Sequence, residues 1–138
     1  MVKKILAMLL CSICLIFLVP PLYAQGSKHP LTLPNGEVVW DLNGEWDCYT
    51  ENHGPWATKG SSSDVVKITQ SGSSFKGMSM TLMKGAEAVR GELDKRGVKW
   101  AQLESDEGTL DCIGKISEDG NKMIIDDVVK QRAIFTRK

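Results

Sequence analysis

The chain offers few residues whose types and spacing could do chemistry. Its two histidines are His29 and His53, and neither stands near a Ser or Cys nucleophile motif. A Ser-His-Asp or Cys-His site has a recognisable constellation, and no stretch of this sequence carries it. Both histidines are therefore expected to be ordinary surface residues, and the protein to be non-catalytic. Glu92 and Asp94 stand two apart beside Arg90, and Asp126-Asp127 are adjacent. Paired carboxylates do acid–base work when their surroundings push their pKa values apart. A spacing of two along a strand instead puts Glu92, Asp94 and Arg90 on one polar, solvated face. Asp119-Gly120-Asn121 lacks the regular acidic spacing of a calcium loop and reads as a turn. Cys48 and Cys112 with the two histidines match no zinc spacing. No metal and no cofactor is expected.

What the cysteines do depends on the compartment, which the N-terminus addresses. Lys3 and Lys4 precede an uncharged, largely apolar run from Ile5 to Val19, which Pro20-Pro21 breaks. Leu22-Tyr23-Ala24 then supplies a small residue for cleavage, giving a signal peptide at 1–24 and a mature start at Gln25. The run is shorter than the roughly 20 residues a spanning helix needs, so no stable membrane anchor is expected after cleavage. Leu10 before Cys11 and Ile13 before Cys14 are too bulky for a lipidation site. The mature chain of 114 residues is sized for one domain, and its 15 basic against 17 acidic residues give a net charge of −2. Nothing in that charge suggests nucleic acid or an anionic membrane as partner. The expected location is periplasmic or secreted. There, an even pair of cysteines predicts a Cys48–Cys112 disulfide. Closing a loop of about 65 residues, it would contribute roughly 4 kcal/mol.

The elements that must position these residues read as strands. Residues 25–37 carry two Pro and two Gly with no apolar period, and 25–42 are expected to form an extended N-terminal arm. From residue 43 onward, short runs rich in Val, Ile, Thr and aromatics alternate with Gly, Asp, Asn and Ser. That spacing predicts hairpin-connected strands at 43–50, 64–71, 74–83, 87–95, 97–104, 109–117, 121–127 and 129–137. Glu118-Asp119-Gly120-Asn121 is the strongest turn signal. Alternation puts Trp46 and Cys48 on one face, then Val89, Gly91 and Leu93, then Leu110, Cys112, Gly114 and Ile116, then Ala133, Phe135 and Arg137. The predicted fold is all-β: an eight-stranded antiparallel up-and-down barrel over 43–138, with a two-sheet β-sandwich as the alternative.

Gly44-Glu45-Trp46 at the first strand, Val66-Lys67-Ile68-Thr69-Gln70-Ser71-Gly72, and Phe75-x-Gly77 together resemble small secreted barrels of the lipocalin-like and avidin-like kind. The resemblance spans roughly 43–137 and implies a basic residue of the last strand stacked over the first-strand Trp. Here Arg137 would cover Trp46 and close one barrel end. The chain lacks the helix that follows a lipocalin barrel and the biotin-contacting blocks of avidins.

A barrel of this size holds side chains or one small ligand. Trp56 in the long 51–63 loop is placed either as a lid or as a cap on the core. Trp100 shares a face with Val98 and is expected inside. Met78, Met80 and Met83 are expected to fill core or line a soft cavity wall. The sequence thus favours binding of a small, mostly apolar ligand by Trp56, Trp100, Leu110, Ile116 and Phe135. The second reading is a protein-interaction or inhibitor module with a filled interior and a working rim.

Overall fold

A computed structural model describes residues 29–52, 61–105, 108–127 and 131–138. The expected signal segment, His53 and Trp56 lie outside the described residues. Among the described residues ten strands follow in chain order: β1 (Pro30–Thr32), β2 (Val38–Trp40), β3 (Gly44–Asn52), β4 (Ser61–Ser71) and β5 (Ser74–Ser79), then β6 (Glu87–Asp94), β7 (Gly97–Ser105), β8 (Gly108–Ile116), β9 (Lys122–Asp126) and β10 (Gln131–Arg137). The eight strands β3 to β10 form a closed antiparallel barrel in which each pairs with its chain neighbours. β10 returns to β3 with Arg137 opposite Trp46 and Phe135 opposite Cys48. The fold is therefore the up-and-down barrel and not the sandwich. Closure pairs both edges of every strand, which leaves no barrel strand free to recruit another chain.

The alternation that predicts these strands is also what buries them. Val66 and Ile68 of β4, Val89 and Leu93 of β6, Met123 and Ile125 of β9, and Ala133 and Phe135 of β10 all point inward, and all are buried. Between β8 and β9, Ser117 Oγ and the Asn121 amide both donate to Asp119 Oδ1, at 2.7 and 3.0 Å. Gly120 takes the positive φ (+73°) that the turn requires. There it also lies under Trp40, with whose ring any added Cβ would collide.

Two departures from the expected elements matter for the site. Within the arm expected over 25–42, the described residues 29–42 are not simply extended, because β1 and β2 pair as a small separate hairpin. Val39, Trp40 and Leu42 are buried in the same apolar cluster as the barrel interior. The apolar run Val38-Val39-Trp40 supplies the driving force, at about 25 cal/mol per Å² removed from water. The hairpin packs on β6, and Glu37 Oε1 accepts the Lys95 amide at 2.9 Å. The strand expected over 74–83 also stops at Ser79. Beyond it, local side-chain acceptors capture the backbone amides that a continued ladder would have used.

Candidate functional site

The two barrel ends are built from different chemistry. At the end where β3 begins, Trp46 is fully buried and donates its indole N–H to the Leu42 carbonyl at 2.9 Å. The Arg137 guanidinium carbon lies 4.3 Å from the centre of the Trp46 ring. Its Nη2 donates to the carbonyls of Asp41 at 2.7 Å and Gly120 at 3.2 Å. Burial lowers the Arg137 pKa and the Asp41 carboxylate opposes that shift. Gln70 locks the hairpin to the barrel. Its Oε1 accepts the Leu42 amide at 2.8 Å, and its Nε2 donates to the carbonyls of Trp40 and Gly72 at 3.0 and 2.9 Å. Sequence reading missed Gln70 as a structural residue, since a polar residue near a strand end has no pattern that marks it. This end is sealed.

Among the described residues, much of the interior between the ends is occupied by side chains, those of β8 being the least buried. Val89 and Ile125 show no exposure, and Ala101, Ala133 and Leu103 are nearly as deeply buried. Three inward positions are glycine because neighbours fill the space. A Cβ on Gly77 would sit 2.6 Å from Val66 and 2.7 Å from Val89, and one on Gly114 would sit 2.5 Å from Val98. Such spacing is that of a close-packed core.

Of the five residues expected to line a ligand cavity, Trp56 lies outside the described residues and the other four do not converge. Phe135 is buried deep in the core. Leu110 and Ile116 both face inward and are partly buried. However, six residues of extended chain, about 20 Å, separate them along β8. Trp100 is a correction, because it lies on the outer wall, 41% exposed, rather than inside. Its indole N–H donates to Glu92 Oε2 at 3.0 Å. The cause is a bulge between β6 and β7. Glu92 opposes Trp100, but Leu93 opposes Val98, so Lys99 is the extra residue. One inserted residue flips every later side chain to the other face.

The disulfide expectation is also corrected. Cys48 and Cys112 are free thiols. Cys48 lies opposite Phe135, which opposes Met123, which opposes Ile116. Cys112 is three strands away around the wall and four residues farther along β8. At about 4.8 Å per strand and 3.3 Å per residue, that exceeds the roughly 7 Å Cα limit for a bridge. Sequence alternation placed both residues inward but carried no information on which strands face each other across the barrel. Burial, chiefly, pushes each thiol up to about 11. Between pH 9 and 11 the unfolded chain therefore loses thiol protons that the folded chain keeps. Stability should fall as pH rises through that window, and less steeply in a Cys48→Ala/Cys112→Ala variant. Urea titrations of both proteins at pH 8 and pH 10.5 measure this. Equal declines would remove the thiols as the cause.

Exposed apolar side chains stand singly on the outer wall, at Tyr49, Trp100 and Ile113, and together in one loop at the opposite rim. After β5, the loop from Met80 to Gly85 presents Met80 (37% exposed), Leu82 (59%) and Met83 (62%) to solvent. This corrects the expectation that Met80 and Met83 fill core. The loop is held tightly in spite of that exposure. Asp64 Oδ1 accepts the Thr81 hydroxyl at 2.7 Å and the amides of Thr81 and Leu82 at 3.1 Å. The Met83 amide donates to Ser79 Oγ at 2.9 Å, and the Gly85 amide donates to the Ser79 carbonyl at 2.9 Å. Burial would raise the Asp64 pKa, but the hydroxyls of Ser79 and Thr81 and the amides of Leu82 and Thr81 outweigh it and lower the pKa. The carboxylate is thus ionised and accepting at neutral pH. Beside the loop, Val65, Thr81, Tyr49 and Ile134 line a shallow open depression of about 420 Å³ on the outer wall. That surface continues the apolar lip.

No family model, curated protein or solved structure matches this chain. Any functional reading rests on the chain's own geometry. His29 sits at the sealed end, where Nε2 is 3.3 Å from Asn121 Oδ1. Among the described residues, no group of three His, Cys, Asp or Glu side chains is arranged to hold a metal ion. Glu92 receives Trp100 and lies 3.8 Å from Lys99. Asp126 is paired with Arg132 at 3.0 Å. Both carboxylates are engaged by neighbours rather than aimed at a common point.

Proposed function

We propose that the mature, exported domain is a non-catalytic protein-binding module that works through the apolar loop following β5. One contrast carries this reading. The inner side chains of β4, β6, β9 and β10 bury one another, with only those of β8 partly accessible, while three large apolar side chains stand in solvent on a loop that hydrogen bonds hold fixed. Leaving Leu82 and Met83 exposed costs solubility and gains nothing for folding, and such patches mark interaction sites. Holding them in one conformation lowers the ordering cost that a partner would otherwise meet on binding. The reading as an apolar-ligand container needs room among the inner side chains, and Phe135, Leu103 and Ile125 are already packed against their neighbours. Catalysis would need polar groups converging on one point, and the carboxylates described above are dispersed.

Native mass spectrometry of the mature protein, purified from an oxidising compartment, tests the proposal directly. The expected result is the mass of the polypeptide alone. A stoichiometric small-molecule adduct that denaturation releases would overturn the proposal in favour of a container.

A further inference from the structure

We infer that the partner is a second copy of this chain, docked reciprocally so that the Leu82-Met83-Lys84 segment of each copy seats in the outer-wall depression of the other. This rests on the loop-binding reading above and adds what the loop binds. Every barrel strand is paired on both edges, so association has to use side chains on the outer surface. The loop and the depression are complementary in kind. Leu82 and Met83 stand in solvent, and Lys84 follows them, also exposed. The depression takes its apolar part from Tyr49, Val65 and Ile134, and the Asp47 carboxylate lines it as well. Its volume of about 420 Å³ is that of a small-ligand site, room enough for two side chains.

Position turns this complementarity into a two-fold arrangement. Thr81 lines the depression, yet Leu82 and Met83, which follow it directly, do not. The protruding group and the hollow thus lie side by side on one copy, and neither fills the other. A two-fold axis passing between them sends each loop into the hollow of the opposite copy. Such an isologous contact closes at two subunits. Charge favours the same pairing. Among the described residues, Lys84 has no ion-pair partner, and the exposed Asp47 has a distant one, Lys138 at 4.0 Å. With Leu82 and Met83 seated, Lys84 of one copy meets Asp47 of the other, and symmetry makes the contact twice. The chain from Gln25 onward has 15 bases and 17 acids, so two copies repel one another only weakly.

The test is sedimentation velocity of the mature protein from about 5 to 500 µM. Wild type is expected to pass reversibly from monomer to an adduct-free dimer and to form nothing larger. A dissociation constant on the order of 10–100 µM suits so small a footprint. Leu82→Ser/Met83→Ser, Lys84→Glu and Asp47→Lys should each weaken the dimer about tenfold or more, because every substitution counts twice across a two-fold. The deciding sample is an equimolar mixture of Lys84→Glu with Asp47→Lys. In the mixed dimer one contact joins the two reversed charges and the other joins the two native ones, so the wild-type affinity returns. All four positions are exposed, and circular dichroism melts confirm that each variant folds. A mixture no tighter than its components, or a dimer indifferent to the three variants, overturns the reciprocal docking and leaves the loop-binding reading standing. A protein that stays monomeric throughout does the same if a benzophenone at position 82 crosslinks to a different exported protein of the cells that make it. A monomer that gives no protein adduct there overturns both.

Discussion

Trp46→Ala is expected to destabilise the barrel by about 3–5 kcal/mol, the range for deleting a buried large aromatic. Trp46 has no exposure, so truncation removes its full transfer energy and leaves a void that the closed wall cannot collapse to fill. Three further interactions are lost with it. The Leu42 carbonyl loses its indole donor, and the Arg137 guanidinium loses the ring it stacks on. Leu42, two residues beyond β2 and in the same apolar cluster, loses a buried neighbour. Chemical denaturation of wild type and variant measures the effect. A midpoint that does not move would take Trp46 out of the core and dismiss the sealed-end description with it. Arg137→Lys is a sharper control. It keeps the charge but not the planar fork that reaches Asp41 and Gly120 together, so a loss of stability there reports geometry and not charge.

The second large effect is expected at Gly91. Gly91→Val should cost about 3 kcal/mol or more, at the upper end for overpacking a closed core. A Cβ there would collide with the Trp100 backbone carbonyl and stand 2.7 and 2.8 Å from the Phe75 ring. Phe75 is itself buried at 3% exposure. A carbonyl fixed in the β6–β7 ladder has no freedom to retreat, so the strand must shift or the ring must leave. A thermal melt compares the variant with Lys76→Val, which puts the same side chain on the exposed neighbouring position of β5. Equal melting temperatures would mean that the interior has slack. That result would return weight to a barrel with room for a ligand.

Much of this architecture is legible from short-range pattern. Period-two alternation names the inner faces of β6, β8 and β10 correctly, because a strand buried on one side must place apolar residues at every second position. Gly120 and its flanking Asp119 and Asn121 announce the β8–β9 turn through backbone chemistry alone. The Trp46–Arg137 stack was reached through resemblance, and the observed 4.3 Å approach gives it a physical basis in the ladder that sets Arg137 opposite Trp46.

Three features were decided only by the tertiary structure, each because it depends on where distant segments meet. Trp100 faces outward because a bulge opposite Glu92 and Leu93 shifts parity, and nothing local in Val98-Lys99-Trp100 announces an extra residue. Cys48 and Cys112 remain separate because barrel closure sets their strands three apart, a distance that alternation along single strands does not encode. Met80, Leu82 and Met83 stand at the rim because Asp64, sixteen or more residues earlier, accepts the amides that would have continued β5. The sequence by itself determines strand periodicity, turn positions and the apolar residues available for a core. Bulges, the pairing partners of each strand and the display of the apolar loop follow from closing the sheet, since only closure decides which groups compete for the same hydrogen bonds and the same space.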